Sequence, residues 1–221
     1  MTRVVFEKHL RDLQDEMLAL GSMVEKATAR SIEALKNRDM DLARQIVADD
    51  VKINMKRFSI EEKGIDLIAT QQPMAGDLRT IIAVMNIVTD LERMVDHAEG
   101  IARIALMLGD EPPLKPLIDI PRMAEKATSM LSRSMAAFVS RDIEAARKIG
   151  PEDTEVDSLY DQVYRELLFF MLQDPRSITR ATHLLWVAHN LERIADRVTN
   201  ICERIVFMVT GKYEEMNVSK Y

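Results

Sequence analysis

Little in this sequence bends or crosslinks the chain. Its 221 residues include 7 Gly, 7 Pro and a single Cys, Cys202. With so few helix breakers and turn formers, long uninterrupted elements are expected. One cysteine excludes an intramolecular disulfide. Cys202 falls at an apolar position of a helical pattern and is predicted to be a buried thiol. No run approaches the ~20 consecutive apolar residues that a membrane-spanning helix needs. Residues 1–9 are charged, with no apolar signal core. Together these predict a cytoplasmic protein without a membrane span. A surplus of positive charge is also missing: 36 Asp and Glu face 30 Lys and Arg, for a net charge of −6. Nucleic acid is therefore not expected as a partner, because phosphate backbones call for a basic surface. Cations or basic protein surfaces fit better. There is no glycine-rich phosphate loop; Gly76, Gly100 and Gly109 stand alone. None of His9, His97, His183 and His189 has a Glu three residues before it. That removes the Glu-x-x-His signature of di-metal carboxylate bundles, and nothing else marks an enzyme.

What is present is helical periodicity, with 47% apolar and 30% charged residues. Leu10, Leu13, Met17, Leu20, Val24, Ala27, Ile32 and Leu35 trace one face of a first helix over residues 6–36. Asp39 is placed to cap a second, whose apolar positions are Leu42, Ile46, Val51, Met55, Phe58, Ile65 and Ile68. Gln71-Gln72-Pro73 ends it. A third helix runs over residues 75–107. Gly109-Asp-Glu-Pro112-Pro113-Leu-Lys-Pro116 reads as a linker. The pattern then restarts, with Asp119 near a cap and Pro121 suited to the first helical position. Gly150-Pro151 interrupts the fifth helix, and the sixth begins after Asp174-Pro175 and runs to a C-cap at Gly211. A polar tail closes the chain and is expected to fray.

The restart repeats the first half. Asp90-Leu-Glu92-Arg93-Met-Val-Asp96 returns as Asn190-Leu-Glu192-Arg193-Ile-Ala-Asp196, 100 residues on. Met23-Val-Glu-Lys-Ala returns as Met123-Ala-Glu-Lys-Ala at the same offset. Arg38-Asp39 returns as Arg141-Asp142, and Asp50 with Asn54 returns as Asp153 with Asp157, both 103 residues on. The matches keep their order, so the chain is predicted to be all-α: a tandem duplication of an antiparallel three-helix bundle, with six long helices of which several approach 30 residues. The halves are residues 1–108 and 119–213, with a Pro-rich linker over 109–118 and a tail over 214–221.

Candidate chemistry lies in four side-chain pairs, each spaced i,i+4 on one helix face. Asp50 with Asn54 and Asp153 with Asp157 lie on the second helix of each half. Glu92 with Asp96 and Glu192 with Asp196 lie on the third. If those helices pack side by side, two pairs converge, and four oxygen donors can hold a hard cation with water completing its shell. Mg²⁺ or Mn²⁺ suits such ligands, with Fe or Zn as alternatives. The competing reading is a solvated acidic face with i,i+4 ion pairs. Asn54 lowers the charge of the first set. Arg197 follows Asp196 where His97 follows Asp96, which predicts a cation beside the second site, and Gly100 stands where the second half has Asn200.

The Asp-Leu-Glu-Arg-x-x-Asp stretch of the first half, the Leu-Glu-Arg-x-x-Asp-Arg-x-x-Asn-Ile stretch of the second, and Gln71-Gln72-Pro-Met-Ala-Gly-Asp77-Leu78-Arg79 entering the third helix resemble the PhoU family of phosphate-uptake regulators over nearly the whole chain. That resemblance implies a duplicated three-helix bundle and a cytoplasmic, often dimeric, regulator. It would link a phosphate-specific ABC importer, through its ATPase subunit, to a sensor histidine kinase, and would hold uptake and the starvation response down when phosphate is plentiful. It further implies metal binding at the eight residues of the four pairs. The alternative is a helical adaptor or oligomerisation module outside phosphate signalling, for which 15 Met residues offer an adaptable surface.

Overall fold

A computed structural model describes residues 3–216. Seven α-helices account for nearly all of it: α1 (Arg3–Asn37), α2 (Met40–Gln71), α3 (Gly76–Leu108), α4 (Asp119–Ser140), α5 (Ile143–Ile149), α6 (Asp153–Gln173) and α7 (Ile178–Thr210). The predicted fifth helix is α5 and α6 joined by a 3₁₀ turn over Gly150–Glu152. Pro151 cannot donate into a continuing ladder, so the break falls there. The long helices α1, α2, α3 and α7 span 35, 32, 33 and 33 residues, roughly 50 Å each at 1.5 Å per residue.

The duplication holds down to single backbone torsions. Arg38 and Arg141, equivalent residues, both adopt φ 55°. The next residue of each pair, Asp39 and Asp142, donates its N–H to the Ala34 and Ala137 carbonyls, both at 2.9 Å. Each carboxylate then accepts from the N–H three residues on, Leu42 and Ala145, again at 2.9 Å. One short sequence, Arg-Asp, thus closes a helix through a left-handed residue and caps the next in both halves.

Several details depart from the sequence expectations. Pro121 lies at the third helical position rather than the first, because α4 starts at Asp119. It is tolerated there since no first-turn N–H has an intrahelical acceptor. The expected face of the second helix holds at its ends, where Ile46 is buried and Leu42 and Ile68 are half-buried against the core, and fails between them. Ala43, Ile46, Ile53, Ile60, Gly64 and Leu67 are buried, while Val51, Met55, Phe58 and Ile65 are all more than half exposed. Two apolar stripes run along α2, and the one that repeats every seven residues (Ile46, Ile53, Ile60, Leu67) is the one that packs. Along α3, Val88, Leu91, Val95, Ala98 and Ala102 are buried and Ile82 and Met85 half-buried. Along α7, Ala181, Ala188, Leu191, Ala195, Val198 and Cys202 are buried and Leu185 half-buried. Leu78 and Ile178, at the starts of these helices, are exposed. The tail folds back as far as it is described: Tyr213 stacks on Phe207 with ring centroids 4.3 Å apart, Glu214 pairs with Arg147, and the Met216 N–H donates to Glu203 at 3.0 Å. The rest of the expected frayed tail, 217–221, lies outside the described residues.

The halves do not stand apart as two separate bundles. Buried side chains from all seven helices form one core. α3 packs on α1 and α2 and also along α7, and α1 meets α4. At the α3–α7 seam the helices run antiparallel: Asp90 accepts from Asn200 Nδ2 at 3.2 Å and from Arg197 Nη1 at 3.4 Å. The mirror contact joins His97 Nδ1 and Asn190 Oδ1 at 2.9 Å. Gly100, equivalent to Asn200, leaves room on that side, since a Cβ there would lie 3.3 Å from Asn190 Oδ1. The positions at which the two halves differ thus face each other across the seam.

Candidate metal grooves

Each half forms a groove between its second and third long helices, α2–α3 and α6–α7. The apolar stripe on each helix points inward, so the i,i+4 acids that border it line the groove floor. In the second half, Asp157 on α6 meets Glu192 and Asp196 on α7, with one oxygen from each lying within 4.8 Å of the others. These are three of the four predicted residues. The fourth, Asp153, lies deeper, 1% exposed, and accepts from Thr199 Oγ1 at 3.3 Å. Burial and mutual repulsion raise the trio's proton affinity. The Glu192 carboxyl is pushed up to about 7, by burial first and by Asp196 next. Asp157 rises to about 6 through burial, Asp153 and Asp196, and burial also raises Asp196. Glu192 Oε2 is buried with no hydrogen-bond donor among the described residues.

The donor set fits a divalent cation: three converging carboxylates, one with a buried oxygen that has ion-pair neighbours but no hydrogen bond, in an environment that penalises their charge. Asp157, Glu192 and Asp196 would hold it. Arg193 is the local counter-charge, 2.7 Å from Asp196 and 3.4 Å from Glu192. It is 45% exposed and lies on the same helix as its partners, an arrangement worth at most about 1 kcal/mol, so an ion can displace it. His189, unassigned from sequence, stands 3.6 Å from Glu192 with its ring 6.2 Å from that of Tyr160.

The first half is built differently. Glu92 and Asp96 on α3 face α2, and the Asp96 carboxyl is pushed up to about 6 by burial, then by Glu92, Asp50 and Glu99. Asn54 donates Nδ2 to Asp50 Oδ2 at 3.0 Å. Burial and Glu99 raise the Asp50 carboxyl, whose Oδ1 is buried without a hydrogen-bond partner among the described residues. A residue that sequence spacing passed over stands in the middle. Arg57 is 3.6 Å from Glu92 and 3.3 Å from Glu61. Its guanidinium also lies 4.5 Å from the Phe58 ring centroid. Arg57 follows Asn54 by about one helical turn, but its partner Glu92 lies on the neighbouring helix, which spacing along α2 does not reveal. Arg57, Thr89, Glu92, Arg93, Asp96, His97 and Arg197 line an open groove of about 490 Å³. The presence of Arg197 corrects an expectation: its guanidinium turns from the second site to Asp90 and the first groove, because a carboxylate lies across the seam.

Cys202 is fully buried, as expected, and burial pushes its thiol up to about 12, which leaves it unreactive at neutral pH. No helix among the described residues is long and apolar enough to cross a membrane.

Fold and grooves together define a class, the internally duplicated three-helix scaffold with an acidic groove in each repeat. The comparisons give the family. A family model described as the PhoU domain matches residues 17–105 and 120–205, one copy per half, and this chain belongs to the PhoU family. It is 41% identical over 218 residues to a phosphate-specific transport system accessory protein PhoU homologue of Clostridium acetobutylicum, covering 98% of this chain and 100% of the relative. A homologue of the same description from Aquifex aeolicus is 40% identical, with 93% of each chain covered. Among solved structures, the phosphate transport system regulatory protein PhoU from Streptococcus pneumoniae superposes with a TM-score of 0.88 at 32% identity, over 95% of this chain and 99% of that one. PhoU from Pseudomonas aeruginosa gives 0.89 at 33%, over 94% and 100%.

Proposed function

We propose that this chain is a cytoplasmic negative regulator of phosphate uptake and of the phosphate-starvation response, working by protein contact rather than by chemistry. The observation that carries the reading is full-length membership, in both halves, of a family whose relatives are named as accessory or regulatory proteins of phosphate transport. The chain would act as a homodimer and reach the membrane only through its partners. One surface would meet the ATPase subunit of a phosphate-specific ABC importer and another the sensor histidine kinase. Regulation of this kind needs different affinities for two states of a partner. A single continuous core suits the task, because a contact on one half bears on packing shared with the other.

The grooves would contribute by holding cations. Asp157, Glu192 and Asp196 would take one divalent or transition ion, with Mg²⁺ and Mn²⁺ favoured by the all-carboxylate set and Fe or Zn as alternatives. Bound there, the ion would neutralise the trio and clamp α6 to α7.

The test is direct binding. With the purified chain immobilised, the importer's ATPase subunit and the cytoplasmic part of the kinase should each bind, and the affinity for the ATPase should differ between its nucleotide-bound and nucleotide-free states. Binding of neither partner would refute the proposal and favour the adaptor alternative.

A further inference from the structure

The two grooves occupy equivalent places but are filled differently, and the difference lies in residues of this chain. The offset of 103 residues pairs Asn54 with Asp157, Arg57 with Tyr160 and Glu61 with Tyr164; the offset of 100 pairs Glu92 with Glu192 and Asp96 with Asp196. The third-helix acids are the same in both halves, although their neighbours Thr89 and His97 become His189 and Arg197; the largest change in charge at the acids comes from the second helix. In the first half that helix brings a guanidinium and an amide. In the second it brings a neutral phenol and a further carboxylate.

We propose that Arg57 is the resident cation of the first groove and that it excludes there the metal ion which the second groove takes. The inference rests on the reading above that the second groove holds a divalent ion.

The guanidinium lies beside the carboxylates that a metal in the first groove would need, and its charge acts on Asp96 as well as on Glu92. It reaches Glu92 at 3.6 Å across the α2–α3 groove and Glu61 at 3.3 Å along its own helix. All three side chains are largely buried, at 19%, 15% and 24% exposure. Arg57 is permanently charged, so no pH change near neutrality vacates the place. The planar group is also held over the Phe58 ring, an arrangement that favours a cation. An entering ion would have to expel it or sit beside it against like-charge repulsion. Asn54 adds to the exclusion by donating to Asp50, occupying a carboxylate oxygen that could otherwise ligate. Arg93 and Arg197 line the same groove, so any ion approaching it meets three guanidiniums.

The second groove lacks this device. Tyr160 brings no charge, and Asp157 replaces the amide and converges with Glu192 and Asp196. Arg193 is there, but it is the more exposed arm of a same-helix pair, and its equivalent Arg93 is present in the first half as well. It therefore cannot be what distinguishes the two. Arg57 can.

The probe is Mn²⁺ alone, titrated into chelator-treated full-length protein at pH 7.5, with bound ion counted by equilibrium dialysis and electron paramagnetic resonance. Wild-type protein should bind in the second groove only, and Glu192→Ala with Asp196→Ala should abolish binding. Arg57→Tyr with Asn54→Asp, which recreates the second groove in the first, should gain a further site. That site should persist when Glu192 and Asp196 are replaced, and should bind at least tenfold more tightly than anything the wild-type first groove shows. The reciprocal Tyr160→Arg should weaken the second groove at least tenfold. If Arg57→Tyr disturbs folding by circular dichroism, Arg57→Gln tests the same point with a polar side chain of similar reach. One Mn²⁺ lost on Glu192→Ala/Asp196→Ala, with a second retained there and lost on Glu92→Ala, would overturn the inference and leave the second groove standing as a metal site. So would an intact second groove with no gain on removal of Arg57. A gain at the first groove with no wild-type binding would uphold Arg57 as the excluding residue and refute the second groove as a metal site. No Mn²⁺ on any variant would overturn both.

Discussion

Glu192 carries the largest consequence of any single side chain in the second groove. Its carboxyl ionises at about 7 in the folded chain, against roughly 4.3 when unfolded. A folded state that binds protons more tightly loses stability as pH rises from the unfolded value through the folded one. The ion-free protein therefore bears a cost at Glu192 that is absent near pH 4 and complete above pH 7. Glu192→Gln should raise the melting temperature of metal-free protein at pH 7.5 by a few degrees, at the ~2–4 °C per kcal/mol expected for a chain of this size. It should have almost no effect at pH 4.5, and scanning calorimetry at the two pH values checks this. Using the difference between variant and wild type cancels the opposite contribution of His97, whose proton affinity burial lowers and which does not touch Glu192. At pH 7.5 Mn²⁺ should stabilise the wild type and leave the variant unmoved. The acids themselves were legible from i,i+4 spacing. Arg57 and the turning of Arg197 toward Asp90 were not, because spacing along one helix says nothing about which neighbouring helix offers a partner.

Among the elements, the helix junctions repeat most faithfully. Asp39 and Asp142 make the same cap, and the Arg before each makes the same left-handed exit. Asp39→Ala should lower stability by about 1 kcal/mol. Asp142→Ala should cost about the same, although α5 is only 7 residues long, since the lost hydrogen bond is identical. Urea unfolding of both variants checks the equality, and a difference beyond experimental error would mean that helix length, not the cap, sets the cost. Helix order and breaks were readable because Gly, Pro and Asp mark them locally. The buried face of α2 was misread because two apolar stripes run along that helix, and local periodicity cannot say which of them meets α1 and α3. The exposed one, Val51, Met55, Phe58 and Ile65, has the same helical period as a core face.

For the molecule as a whole, duplication accounts for the arrangement. Two copies of a three-helix unit place α3 and α7 side by side, joined by two mirror-related sets of polar contacts: Asp90 with Arg197 and Asn200, and His97 with Asn190. The repeat was legible from motifs that keep their order at offsets of 100 and 103 residues. The merging of the halves into one core was not, since a repeat states what each half is and leaves open how the halves meet. An acidic scaffold whose two grooves differ in charge would suit the proposed regulator, which would present unlike faces to two partners. The measurement that tests this role most directly is secreted alkaline phosphatase activity in the native host, grown in high phosphate after deletion of the gene. The account predicts strong activity that a wild-type copy returns to baseline. Activity unchanged by the deletion would contradict a repressor of the starvation response.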